Sequence, residues 1–194
     1  GIAMSRYDFK EHDPFAPIVY TYPNTALLHR ETSKYQDIQI RQHPYFGRML
    51  ILDDVVQLTE RDEFFYHEML VHPVLHTHPD PKHVLIIGGG DGASMREVLR
   101  HMGVESVTLA EIDERVVAVS REYFPTLRSG FEDPRAEVVF TDGIKHVQNP
   151  PRKYDAIIVD STDPIGPAEN LFAGDFYKAA AEALTENGLF VTQS

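Results

Sequence analysis

Carboxylates recur just after short apolar runs. They are Asp91 inside Gly88-Gly89-Gly90-Asp91-Gly92-Ala93, Glu111 and Asp113 in Glu111-Ile112-Asp113, Asp142 before Gly143, and Asp160 and Asp163 in Asp160-Ser161-Thr162-Asp163-Pro164-Ile165-Gly166-Pro167. Gly88, Gly90 and Ala93 satisfy formally the fingerprint G-x-G-x-x-G/A, whose glycines bring backbone close to a ligand at a helix N-terminus. Nicotinamide and S-adenosyl enzymes share that loop, and Asp91 separates them. A carboxylate there meets a pyrophosphate at a cost but welcomes a sulfonium or an ammonium. Its plain alternative is to cap the following helix.

Glu111 stands 20 residues past Asp91, where an acid accepts hydrogen bonds from ribose hydroxyls in either cofactor class. Asp113 reads as a helix cap. Asp142 can accept from an adenine amine, with Gly143 making room for the ring, or serve as a turn residue and cap. Asp160 and Asp163 are three apart on a loop stiffened by two prolines, so both can face one cleft. They suit a metal, or the holding and deprotonation of an amine.

The elements that position these residues follow from periodicity. Residues 17–58 read as β structure: Ala26-Leu27-Leu28, Tyr35 to Arg41 with alternation, Met49 to Leu52, and Val55 to Leu58, with Asp53-Asp54 as a tight hairpin turn. Thr59 is placed to cap a helix that ends near Pro73. From residue 83 apolar strands alternate with helices: strands at 83–87, 106–110, 138–140, 156–159 and 189–192, helices near 92–101, 114–123, 144–148 and 175–184. That alternation specifies an α/β fold with a doubly wound parallel sheet, which binds ligands beyond the carboxyl ends of its strands. The expected organisation is a polar segment at 1–16, a small β domain with its linking helix at 17–79, and a Rossmann-like nucleoside-binding domain at 80–194.

Composition bounds the function. The chain of 194 residues carries 18 Lys plus Arg against 30 Asp plus Glu, a net charge of −12. That field repels phosphate backbones, which argues against nucleic acid and favours a cationic ligand, although acidity also serves solubility. No window matches a membrane span, and the N-terminus lacks a signal-peptide layout. With no cysteine there is no disulfide, thiolate metal site or cysteine nucleophile, and a cytoplasmic address is expected. His67-Glu68 with His72 resembles H-E-x-x-H, but these histidines are five apart, not four, and so do not share a helical face. His72, His76, His78 and His83 read as a loose surface cluster. No metal site is expected.

Taken together, several stretches resemble the polyamine aminopropyltransferases, in particular bacterial spermidine synthase, over residues 25–194. They are Tyr35-Gln36-Asp37-Ile38, Gly47 to Leu58, Thr59-Glu60-Arg61-Asp62-Glu63-Phe64 with Tyr66-His67-Glu68-Met69, the glycine loop, Val107 to Asp113, and Asp160 to Glu169. Methyltransferases share the glycine loop but not the T-E-R-D-E-F run or the D-S-T-D-P-x-G-P-A-E loop.

The resemblance implies a class I methyltransferase-type sheet preceded by a small oligomerising β domain, with the last strands of the sheet missing from this chain. It implies Gln36 and Glu111 on the ribose, Asp142 and Gly143 on the adenine, and Pro167 beside the ring. His67 and Asp91 would meet the aminopropyl arm of decarboxylated S-adenosylmethionine, a co-substrate rather than a prosthetic group. Asp160 would be the general base, with Tyr66 and Asp163 lining the channel for putrescine. A homo-oligomer is expected, a dimer in the first instance. The rival readings are an S-adenosylmethionine-dependent N-methyltransferase of a polyamine and a non-catalytic binding or assembly subunit. A nicotinamide dehydrogenase is more distant because of Asp91.

Overall fold

The computed structural model describes residues 6–13, 15–161 and 173–192. Two five-stranded sheets organise it. The first is an antiparallel meander of β1 (Arg6–His12), β2 (Val19–Thr32), β3 (Asp37–His43), β4 (Gly47–Leu52) and β5 (Val55–Thr59), in sequential order. Asp53 and Asp54 join β4 to β5 with φ of 48° and 62°, the doubly left-handed turn that acidic and Asn residues tolerate. The polar stretch at 1–16 lacks a period in sequence, yet it contains β1, which pairs with β2 from Arg6↔Ala26 to His12↔Val19. Its Phe9 packs on Met49 and Ile51, which a single buried position in seven does not advertise.

Helix α1 (Glu63–Thr77) then leads to the second sheet. Asp62 precedes it, and the Asp62 amide donates to the Thr59 hydroxyl at 3.3 Å. The helix does not stop at Pro73. A proline inside a helix costs about 3 kcal/mol, but Val71 and Leu75 on either side of it are buried in the core. Burying two such side chains offsets a loss of that size.

The second sheet comprises β6 (His83–Gly88), β7 (Ser106–Glu111), β8 (Ala136–Phe140), β9 (Tyr154–Asp160) and β10 (Leu184–Thr192), in the spatial order β10-β9-β6-β7-β8, all parallel. The intervening helices are α2 (Ala93–Leu99), α3 (Glu114–Tyr123), α4 (Pro125–Glu132), α5 (Gly143–Gln148) and α6 (Ala173–Ala183). Helix α4 has no counterpart in the periodicity, although Pro125 at its first turn is a start signal.

One face of the sheet packs on α1 and α2 through Val71, Leu75, Met95 and Val98. The other packs on α5 and α6 through Val147, Phe176 and Ala180. A third cluster joins Ile38, Ile40 and Leu50 of the first sheet to Val116, Val119 and Leu127 of α3 and α4. The meander is thereby fixed above one end of the parallel sheet. Chain order reverses between β6 and β9, so the switch point lies at their carboxyl ends, Gly88 and Asp160, which are register partners.

Candidate active site

A cleft of about 510 Å³ opens at that switch point. It is lined by the ends of β6, β7 and β9, by the start of α5, by α1, and by the rim of the first sheet at Gln36, Leu50, Asp53 and Gln57. Gln36, Tyr66, His67, Asp91, Glu111, Asp142, Gly143 and Asp160 all line it. Asp163 and Pro167 lie outside the described residues.

The acids gather at one end. Asp160 ends β9 and is buried. The hydroxyl of Ser94, in the first turn of α2, donates to Asp160 Oδ2 at 2.6 Å. His67 Nε2 stands 3.6 Å from the same oxygen. His67 Nδ1 donates to the Glu63 carbonyl at 2.7 Å and lies 3.5 Å from Glu63 Oε2. Arg96 grips both oxygens of Glu63 at 2.9 Å, a two-pronged geometry that fixes its rotamer. One carboxylate oxygen each from Asp91 and Asp160 and one ring nitrogen of His67 lie within 4.8 Å of one another.

Burial and crowding set the charges. Burial opposes a charge on His67, but hydrogen bonding to Asp160 and Glu63 and the field of Asp91 outweigh it, so the imidazolium is held up to about 11. Burial pushes Asp91 up to about 6, against the pull of His67 and with the repulsion of Asp160 behind it. Burial also raises the Tyr66 phenol, with Asp160 and Asp91 adding to the effect. Two carboxylates and one imidazolium beside a cleft form a basin of negative potential that rewards a cation.

Glu111, Asp142 and Gly143 line the same cleft. Glu111 ends β7 against Gly90, and burial raises its carboxyl to about 7. Asp142 caps α5, accepting from the Ile144 amide at 2.9 Å, so the helix-cap reading holds for it whatever else it does. Asp91 likewise accepts from the Ala93 amide at 2.8 Å. A Cβ at Gly143 would run into Cγ2 of Ile87, so the backbone of α5 can approach β6 only with glycine there. At Gly89 the constraint is twofold: φ is +69°, and a Cβ would sit 2.6 Å from Asp160 Oδ2.

Residues without a role in the sequence reading complete the arrangement. Glu63 falls in the T-E-R-D-E-F run, four before His67, which is one helical turn. Ser94 stands three after Asp91. Asp113 caps α3 as expected, through the Arg115 amide at 3.1 Å. Its second oxygen also accepts from Ser33 at 2.6 Å and from the Gln36 amide at 3.0 Å. That partly buried link ties the rim of the first sheet to the start of α3. It joins residues 77 or more apart, so no local pattern announces it.

Comparison with known proteins returns the same outline. The spermine/spermidine synthase domain matches residues 63–194, and the spermidine synthase tetramerisation domain matches residues 9–60. Polyamine aminopropyltransferase 1 of Aquifex aeolicus is 54% identical over 186 residues, covering 96% of this chain and 66% of that protein. The polyamine aminopropyltransferase of Hydrogenobaculum sp. is 51% identical, with the same coverage. A crystal structure of spermidine synthase in complex with the transition state analogue AdoDATO superposes with a TM-score of 0.91 at 38% identity, covering 99% of this chain and 67% of that one. The chain thus spans about 66% of the length of the curated relatives it matches.

Proposed function

We propose that this chain, which belongs to the spermine/spermidine synthase family, carries the donor-binding and base-bearing part of an aminopropyltransferase. The reaction moves the aminopropyl group of decarboxylated S-adenosylmethionine to putrescine. The observation that carries this reading is the buried grouping of His67, Asp91 and Asp160 at the switch point, in the cleft that Glu111 also lines.

The step is a displacement at carbon. An amine nitrogen attacks the methylene beside the sulfonium, the carbon–sulfur bond breaks, and its electron pair returns sulfur to a neutral thioether. The leaving group is already good, so two tasks remain. One is to align nitrogen, carbon and sulfur, an entropic contribution. The other is to free the amine of its proton, since an alkylammonium has a pKa of about 10.4. Asp160 takes that proton, Tyr66 and Asp163 line the diamine side, and Asp91 and His67 meet the aminopropyl arm. Gln36 and Glu111 hold the ribose, while Asp142, Gly143 and Pro167 hold the adenine. A donor bearing its α-carboxylate would meet Asp91 and Asp160 as a like charge, which favours the decarboxylated form.

The first sheet corresponds to the matched tetramerisation domain, which supports a homo-oligomer formed through residues 9–60. A tetramer and the smaller dimer are separable by sedimentation. No helix among the described residues is long and apolar enough to cross a membrane. The test of function is donor choice. The protein is incubated with putrescine and either decarboxylated or intact S-adenosylmethionine. Spermidine from the first donor supports the reading, N-methylputrescine from the second replaces it with a methyltransferase, and nucleoside binding without either product replaces it with a binding subunit.

A further inference from the structure

A second group of ionisable side chains lies away from the cleft, where α1 crosses the end of α2. His72 and His76 are four apart on α1, one helical turn, and His101 follows α2. His72 Nδ1 and His101 Nε2 are 2.7 Å apart, and the His76 ring centroid is 5.1 Å from that of His101. One ring nitrogen from each of the three lies within 4.8 Å of the others. His72 is five residues from His67, so it faces a different side of α1 from the catalytic grouping.

The sequence pattern suggested a different set. It joined His72 and His76 to His78 and His83 as neighbours in the chain. In the fold His78 is buried, and His83 bonds to Ser106 at 2.8 Å. His101, 25 residues past His76, takes their place.

We propose that His72, His76 and His101 form a binding site for a borderline divalent transition-metal ion such as zinc or nickel. The decisive feature is beneath them. Glu97 is fully buried, and its Oε2 accepts from His72 Nε2 at 2.9 Å. A carboxylate that takes the proton of one ring nitrogen directs the other nitrogen's lone pair outward, the arrangement that orients metal-bound histidines. The outward nitrogen is Nδ1, the one that faces His101.

Two nitrogens on one tetrahedral ion with bonds of about 2.0–2.1 Å stand about 3.3 Å apart, so His101 need retreat by about 0.6 Å. When the ion enters, the proton His101 carries on Nε2 in that contact moves to its other ring nitrogen. Arg100 lies nearby, but its charge is matched by Glu97 at 3.4 Å and Glu68 at 3.7 Å. Three imidazoles without a thiolate suit zinc, nickel or copper and disfavour magnesium or calcium, which take oxygen ligands. His76 is exposed, so the fourth position opens to water.

The test is calorimetric titration of the purified, metal-stripped chain with Zn²⁺, with Co²⁺ as a spectroscopic substitute. Wild type, His76→Ala, His101→Ala and His67→Gln are compared. His76→Ala removes an exposed side chain and so keeps the fold, which circular dichroism verifies. Expected are one strong site, visible d–d bands for bound Co²⁺, and at least a tenfold loss of affinity in the His76 and His101 variants, with the His67 variant unchanged. Loss in the His67 variant alone would put the ion in the catalytic cleft and overturn the proposal. Undiminished binding in both surface variants, or an equal response to Mg²⁺, would overturn it too.

Discussion

Ser94 donates its hydroxyl to Asp160 across 2.6 Å, tying the first turn of α2 to the end of β9. The bond spans 66 residues and sits in the glycine loop's own helix. The loop therefore does two things at once: its glycines open the floor of the cleft, and its serine sets the rotamer of the proposed base.

Asp160→Asn removes the proposed proton acceptor and keeps the shape. Aminopropyl transfer should fall by roughly two to four orders of magnitude, the usual contribution of a general base. Binding of methylthioadenosine, measured by calorimetry, should survive. Near-normal turnover would move the base elsewhere.

Ser94→Ala tests positioning rather than proton transfer. The carboxylate stays but loses a charge-assisted bond of about 1.5–3 kcal/mol. Turnover should drop roughly tenfold to a hundredfold, with the KM for donor little changed, and Ser94→Thr should recover part of the loss. A rise in donor KM at constant kcat would mean that Ser94 serves binding.

How much of this was visible beforehand divides by range. Each strand end carrying an acid was legible, because a continuous apolar run followed by Gly or Asp marks a buried parallel strand and its turn. The acids at 91, 111, 142 and 160 do face one cleft. Strand β1 was not legible, because Phe9 is its one buried residue of seven and no apolar alternation marks it. The continuation of α1 past Pro73 was decided by tertiary burial of Val71 and Leu75 against a local stop signal. Glu63 lies in the T-E-R-D-E-F run and Ser94 just past the glycine loop, and neither announces a role, since what they touch depends on how α1, α2 and β9 come together. His101 shows the same limit: proximity in space to His72 leaves no trace in spacing.

Gly89→Ala would place a methyl 2.6 Å from Asp160 Oδ2 at a left-handed φ of +69°. The backbone strain alone costs about 1–2 kcal/mol, and the carboxylate must also turn. Activity should fall by more than stability accounts for. Chemical denaturation compared with turnover measures the two, and parallel losses would mean that Asp160 does not depend on Gly89.

Glu111 supplies the last prediction, since ligand binding and stability should respond to it in opposite senses. In its proposed role as an ionised acceptor for ribose hydroxyls it would favour nucleoside binding, and Glu111→Gln should weaken methylthioadenosine by up to a few kcal/mol. In the ligand-free fold the same carboxyl is a burden. Burial holds it up to about 7, against 4.5 when unfolded. Between those values the folded state binds the proton that the unfolded state has released, so this group's contribution to stability falls as pH rises from about 4.5 to 7. The full loss is about 3 kcal/mol, at 1.36 kcal/mol per pKa unit. Other groups titrate in the same range: burial lowers His101 and His146, which raises stability with pH, while His67 acts in the opposite direction above 6.5. The difference between variant and wild type removes those shared contributions. Glu111→Gln should therefore gain stability relative to wild type, by several degrees in melting temperature, on going from pH 5 to pH 8. A difference that stays flat with pH would mean that Glu111 is ionised in the fold as readily as in the unfolded chain. The loss in nucleoside affinity would then have to arise from a lost hydrogen bond alone.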